Sequence, residues 1–156
     1  MTTVRGTWNI HEMIATQWLA ECDELFRSYA GTADTPHYVT LHDTEARPNP
    51  PGPYAIYMVG VAGVDGRSGG LTAVTFQQYE TVPVEFRIHS QSKDTTVALA
   101  KIVAAAFDPS NCLALSDGDD MIRSQRISDG ALREDDTEYQ WMLSYEFLVD
   151  ATYDLP

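Results

Sequence analysis

The chain holds 156 residues with 23 acidic and 10 basic side chains, for a formal net charge of −13. Its 44% apolar content can offset the entropy of ordering a core, which excludes a disordered acidic tail and fits one domain over residues 1–156. A pI near 4.4 argues against nucleic-acid binding by phosphate neutralisation and against adhesion to anionic lipid.

The charge is unevenly placed. Residues 117–156 carry 11 acids and 3 bases, whereas residues 1–116 carry 12 acids and 7 bases. No stretch reaches the roughly 20 apolar residues of a membrane span. Met1 to Arg5 lead into a helix-like pattern and not into an apolar signal core. Cys22 and Cys112 are isolated, and the expectation is a pair of reduced, buried thiols.

Ile10, Ile14, Trp18, Cys22, Leu25, Phe26 and Tyr29 recur at three- and four-residue steps, and Met13 and Leu19 widen the stripe. This spacing predicts one helix over 9–30, capped by Asn9 and stopped at Gly31. A short strand is expected at 37–41. The run Arg47-Pro-Asn-Pro-Pro-Gly-Pro53 has too few N–H donors for helix or central strand and reads as a stiff surface loop. A strand follows at 54–61. Five glycines between Gly60 and Gly70 then predict a flexible loop or hairpin tip.

Residues 71–90 are extended. Val82, Val84, Phe86 and Ile88 alternate with Pro83, Glu85, Arg87 and His89, the pattern of a half-buried strand with a wet face. Pro83 points to an edge position or a bulge. A second helix spans 92–107, with Ser92 as its cap, Leu99, Ile102, Val103, Ala106 and Phe107 as its buried stripe, and Asp108-Pro109 as its end. Residues 121–127 form a weaker strand, followed by an acidic connection through Asp129-Gly130 and Glu134-Asp135-Asp136. Tyr139, Trp141, Leu143, Tyr145, Phe147 and Val149 then hold every odd position of a long strand with one aromatic face. The order gives an α+β domain: a mostly antiparallel four- to five-stranded sheet with two helices packed on one face.

Catalytic patterns fail on inspection. Gly66-Arg-Ser-Gly-Gly70 matches G-x-S-x-G, but strand and not helix follows it, so the nucleophile elbow is not formed. His11-Glu12 would need a histidine where Ala15 stands to make a zinc helix, and His37, His42 and Cys22 lack ligand spacing; exposed histidines are the expectation. The glycine loop has no phosphate-binding signature, and Asp117-Gly-Asp-Asp120 lacks the calcium-loop ligand series. Trp18 and Trp141 lie on apolar faces and read as core; Trp8 reads as a staple or an interface anchor. The expectation is no enzyme, no cofactor and no metal. The two loops, with Pro48, Pro50, Pro51, Pro53, Gly63, Gly66, Gly69 and Gly70, are candidate interface elements.

Four stretches together resemble tail terminator (tail-completion) proteins of long-tailed bacteriophages. They are the opening helix Ile10-His-Glu-Met-Ile-Ala-Thr-Gln-Trp-Leu19; the proline-led strand Pro51-Gly-Pro-Tyr-Ala-Ile-Tyr57; the strand and helix from Val84 to Asp108; and the closing strands Met121–Ile127 and Tyr139–Val149. They span nearly the whole chain, and none is a strict motif. The resemblance implies a structural virion protein at the head–tail junction, made in the host cytoplasm. It implies a homo-oligomeric ring, typically a hexamer, on the last ring of the tail tube, stopping polymerisation and offering a docking face to the head–tail connector. The implied partners are therefore a second copy, the tail tube protein and the connector protein, with DNA passing nearby without specific binding and no membrane. Under that reading an acidic surface lets DNA slide past, and Asp117, Asp119, Asp120, Glu134, Asp135 and Asp136 are candidates to face the channel or a basic partner. The competing readings are another phage neck or connector component, a small α+β ligand-binding module, and an enzyme of unrecognised mechanism.

Overall fold

In a computed structural model the described residues are 10–30, 39–43, 52–61, 63–68, 75–108, 121–130, 133–134 and 138–154. Among them are three helices, α1 (Ile10–Glu21), α2 (Asp23–Ala30) and α3 (Lys93–Phe107). Seven strands accompany them: β1 (Leu41–Asp43), β2 (Tyr54–Val59), β3 (Gly63–Ser68), β4 (Thr75–Ser90), β5 (Met121–Asp129), β6 (Arg133–Glu134) and β7 (Tyr139–Asp154). The main sheet runs β1-β2-β4-β7-β5, with β3 beside β4 and β6 beside β7. Only β1–β2 is parallel. This is the expected α+β architecture.

The two strands with the clearest alternation form its centre. β4 and β7 pair without interruption from Thr75↔Asp154 to Ser90↔Tyr139. Their inward rows, Val82, Val84, Phe86 and Ile88 against Leu143, Tyr145, Phe147 and Val149, are fully buried. Each such side chain contributes roughly 1.5–3 kcal/mol relative to exposure. Phe86 joins the layers: its ring lies 4.6 Å from Phe107 of α3, 6.4 Å from Trp18 of α1 and 6.0 Å from Tyr145 of β7.

Polar groups lock α3 in place. Ser92 caps it, its Oγ accepting from the Thr95 N–H. At the other end the Ala106 carbonyl accepts from Gln17 Nε2 (2.8 Å), and the Phe107 carbonyl accepts from Ser124 Oγ (2.6 Å). Carbonyls left over by the last turn are thus satisfied by α1 and β5.

Several expected features change. The single opening helix is divided at Cys22, although Cys22 N–H still donates to Trp18 O and Phe26 N–H to Cys22 O. Its buried row is the straight line Ile10, Ile14, Trp18, Cys22 and Phe26, with Met13 alongside; Leu19, Leu25 and Tyr29 face outward. The first strand is Leu41–Asp43, displaced from 37–41. Gly63 and Gly66 belong to a strand, because the Gly63–Ser68 backbone pairs with β4, with a bulge between Val64 and Gly66 that absorbs the glycine-rich irregularity. Arg133–Glu134 likewise pairs with β7 inside the expected acidic connection. Pro83 is neither on an edge strand nor in a bulge. β2 ends at Val59↔Val84 and β3 begins at Gly63↔Thr81, so the missing Pro83 N–H falls in the gap between them, where the Pro83 carbonyl accepts from Gly60 N–H.

Phe86→Ala is expected to lower unfolding free energy by about 3–5 kcal/mol in urea denaturation, whereas Leu25→Ala on the exposed helix face stays within about 0.5 kcal/mol.

Candidate functional site

Among the described residues, β1 and β5 are the end strands of the main sheet, and each borders a groove. On the β1 side a chain of hydrogen bonds ties strand to helices. Trp18 Nε1 donates to Thr40 Oγ1 (2.8 Å), the Thr40 hydroxyl donates to Asp23 Oδ1 (2.6 Å), and Arg27 Nε donates to Asp23 Oδ2 (2.8 Å). Beside this chain lies a groove of about 360 Å³ between α1 and β1, lined in part by Ala15, Leu19, Val39, Leu41 and Tyr57. Leu19 and Val39 are 67% and 55% exposed, although both are large and apolar. The Tyr57 hydroxyl sits 2.9 Å from His11 Nδ1; burial, then the charge of Asp43, raises its pKa above 10.0.

On the opposite edge β5 departs from regular pairing. Arg126 faces Tyr145 and Ser128 faces Ser144, leaving Ile127 as the extra residue of a bulge. Ile127 is 57% exposed. Arg126, whose Nε lies 3.8 Å from Asp108 Oδ1, also flanks a second groove of about 220 Å³ with Lys101, Trp141 and Leu143. Trp141, expected in the core, is thus only partly buried there.

At one end of the sheet Tyr54 and His89, paired across β2 and β4, stack with ring centres 4.8 Å apart. Glu138 sits 2.8 Å from His89 Nδ1 and accepts from the Tyr54 hydroxyl at 3.3 Å. His89, assigned from alternation to the wet face, is only 8% exposed, because Tyr54 and Glu138 cover it. His89 Nε2 and His42 Nε2 are buried without a hydrogen-bond partner among the described residues. Among those residues no group of three or more His, Cys, Asp or Glu is disposed to hold a metal. Burial, then Glu21 and Asp23, pushes the Cys22 thiol up to about 12, so it remains a protonated packing group.

The residues expected from the sequence to form the site separate. Glu134 lies on β6, opposite Tyr139. Asp117, Asp119, Asp120, Asp135 and Asp136 lie outside the described residues, as do Pro48, Pro50, Pro51, Gly69 and Gly70. Pro53 is buried just ahead of β2 instead of projecting, and Gly63 is exposed at the start of β3. The sequence does not mark Val39 or Ile127 as surface features; Leu19 carries a usable signal, standing one step off the straight i, i+4 row. The chain matches no family model and no curated protein.

Thr40→Val removes the acceptor of the Trp18 indole and one donor to Asp23, and is expected to lower stability by about 1–3 kcal/mol in urea unfolding. A thiol held near 12 is expected to leave Cys22 unalkylated by iodoacetamide at pH 8 in the folded chain, with labelling on unfolding, read by peptide mass. The unfolded thiol ionises from its ordinary 9.0, so the Cys22 contribution to stability is complete below pH 9 and falls as pH rises towards 12; Cys22→Ala removes that part of the pH dependence.

Proposed function

We propose that this chain is a non-enzymatic structural protein of a bacteriophage tail, similar to tail terminators. It assembles into a cyclic ring on the completed tail tube, stops its growth and presents a face to the head–tail connector. The observation that supports this reading best is the open, unequal pair of edges on one sheet. β1 ends the main sheet on one side and β5 on the other, and among the described residues neither carries a further strand. A contact between two different edges is heterologous, and heterologous contacts form a ring when the rotation between copies closes. The extended resemblance over the opening helix, β2, the β4–α3 segment and the β5 and β7 strands points the same way. In this reading the net charge of −13 lets DNA pass the lumen without adhering, and the acidic residues Asp117, Asp119, Asp120, Glu134, Asp135 and Asp136 are the candidates to face it.

The groove beside β1 favours one other reading, a small α+β ligand-binding module, since about 360 Å³ is the volume of a small-molecule site. Light scattering after size exclusion, with negative-stain imaging of the same fractions, separates the two. The expected result is a cyclic particle with an open centre, free or seated on tube ends. A chain that stays monomeric up to millimolar concentration and ignores tail tubes, but gains thermal stability from a small metabolite, overturns the ring.

A further inference from the structure

The two edges differ in shape in a way that fits one to the other. Ile127 stands on β5, an end strand of the sheet, as the extra residue of a bulge and as an exposed apolar side chain. At the opposite rim, the groove between α1 and β1 is open and apolar, with Ala15, Leu19 and Val39 exposed along it. An exposed apolar knob on one side of a subunit and an open apolar groove on the other is the arrangement that joins copies head to tail. Charge agrees with the match. Arg126 precedes Ile127 on an exposed stretch of β5, while the groove holds two carboxylates, Asp23 and Asp43, against one guanidinium, Arg27.

Strand direction agrees too. β5 is antiparallel to β7, β7 to β4, and β4 to β2, while β1 runs with β2. β5 and β1 therefore run in opposite directions within one subunit. When a second subunit is set beside the first with its helices on the same side of the sheet, β5 of one meets β1 of the next antiparallel, and edge N–H and C=O groups can pair across the join.

We propose that β5 of one copy docks along β1 of the next, with Ile127 seated in the groove between α1 and β1. This rests on the ring reading and names the contact that builds it. The occupant of the groove is then a second copy of this chain, and the β1 and β5 edges, which would otherwise invite uncontrolled strand addition, cover each other in the closed assembly.

The full chain tests it. Ile127→Asp and, separately, Leu19→Asp should raise the midpoint concentration of assembly by about tenfold or more, by light scattering. Circular dichroism, and urea midpoints taken below the assembly concentration, should stay at those of the parent chain, since both side chains are exposed. In a Cys112→Ser background, with Cys22 buried, the chain carrying both Leu19→Cys and Ile127→Cys should yield a ladder of cross-linked species under a short bis-maleimide. Either cysteine alone should yield no species beyond a dimer. A parent chain that assembles while both aspartate variants assemble equally well, or a double-cysteine chain that gives no ladder, overturns this contact and leaves the ring standing. A parent chain that remains monomeric overturns both.

Discussion

The pairing of β4 with β7 is the constraint on which the remaining structure hangs. It joins two 16-residue strands along their whole length and sets which residues face the helices. Because the side-chain period of a strand is two, a slip of β7 by one residue against β4 would turn Tyr145 and Phe147 outward and bring Glu146 into the core. The other strands attach outward from this pair: β2 and β3 to β4, β5 and β6 to β7, and β1 to β2. Phe86 meets both helix layers, with Trp18 of α1 and Phe107 of α3 as ring neighbours, and Phe107 also packs on Tyr145 and Phe147 of β7. The positions of the end strands β1 and β5 follow from this central register.

Much of this was legible in the amino-acid sequence where one physical signal acted alone. The odd positions from Tyr139 to Val149 declared their buried face, and Ser92 with Asp108 bracketed α3 closely. The reading failed where two influences competed. Glycines 63 and 66 read as loop, yet the backbone of 63–68 had an unpaired flank of β4 to bond with, and tertiary pairing overrode composition. Pro83 read as an edge marker because a sequence shows the missing N–H but not the break between β2 and β3 opposite it. His89 alternated with apolar neighbours as an outward residue should, and became buried through Tyr54 and Glu138, the latter 49 positions along the chain.

The candidate surface was less legible than the fold, for a related reason. The sequence drew attention to charge and to unusual composition, the acidic run after Asp117 and the proline and glycine segments. The described structure instead draws attention to ordinary aliphatic residues in unusual places. Nothing in the letters Arg126-Ile127-Ser128 distinguishes an exposed isoleucine from a core one; the β5 bulge does. Likewise Leu19 belongs to the apolar content of an amphipathic helix until the straight row Ile10, Ile14, Trp18, Cys22 and Phe26 is seen to fill the core without it. Interaction surfaces built from such residues depend on register and turn geometry, which are long-range properties of the chain.

The ladder also bears on how the chain acquires its structure. Partners across β4 and β7 are separated by 49 residues at Ser90–Tyr139 and by 79 at Thr75–Asp154. Such distant pairings close slowly, because loop entropy is lost before contact energy is gained. β7 is also central while lying late in the sequence, so during synthesis the β7-facing edge of β4 waits unpaired until residues 139–154 have emerged. The nascent chain therefore spends its vulnerable interval with one long edge of β4 unpaired and Phe107 without its Tyr145 and Phe147 neighbours, and the step that ends its exposure to aggregation is the arrival of the central strand.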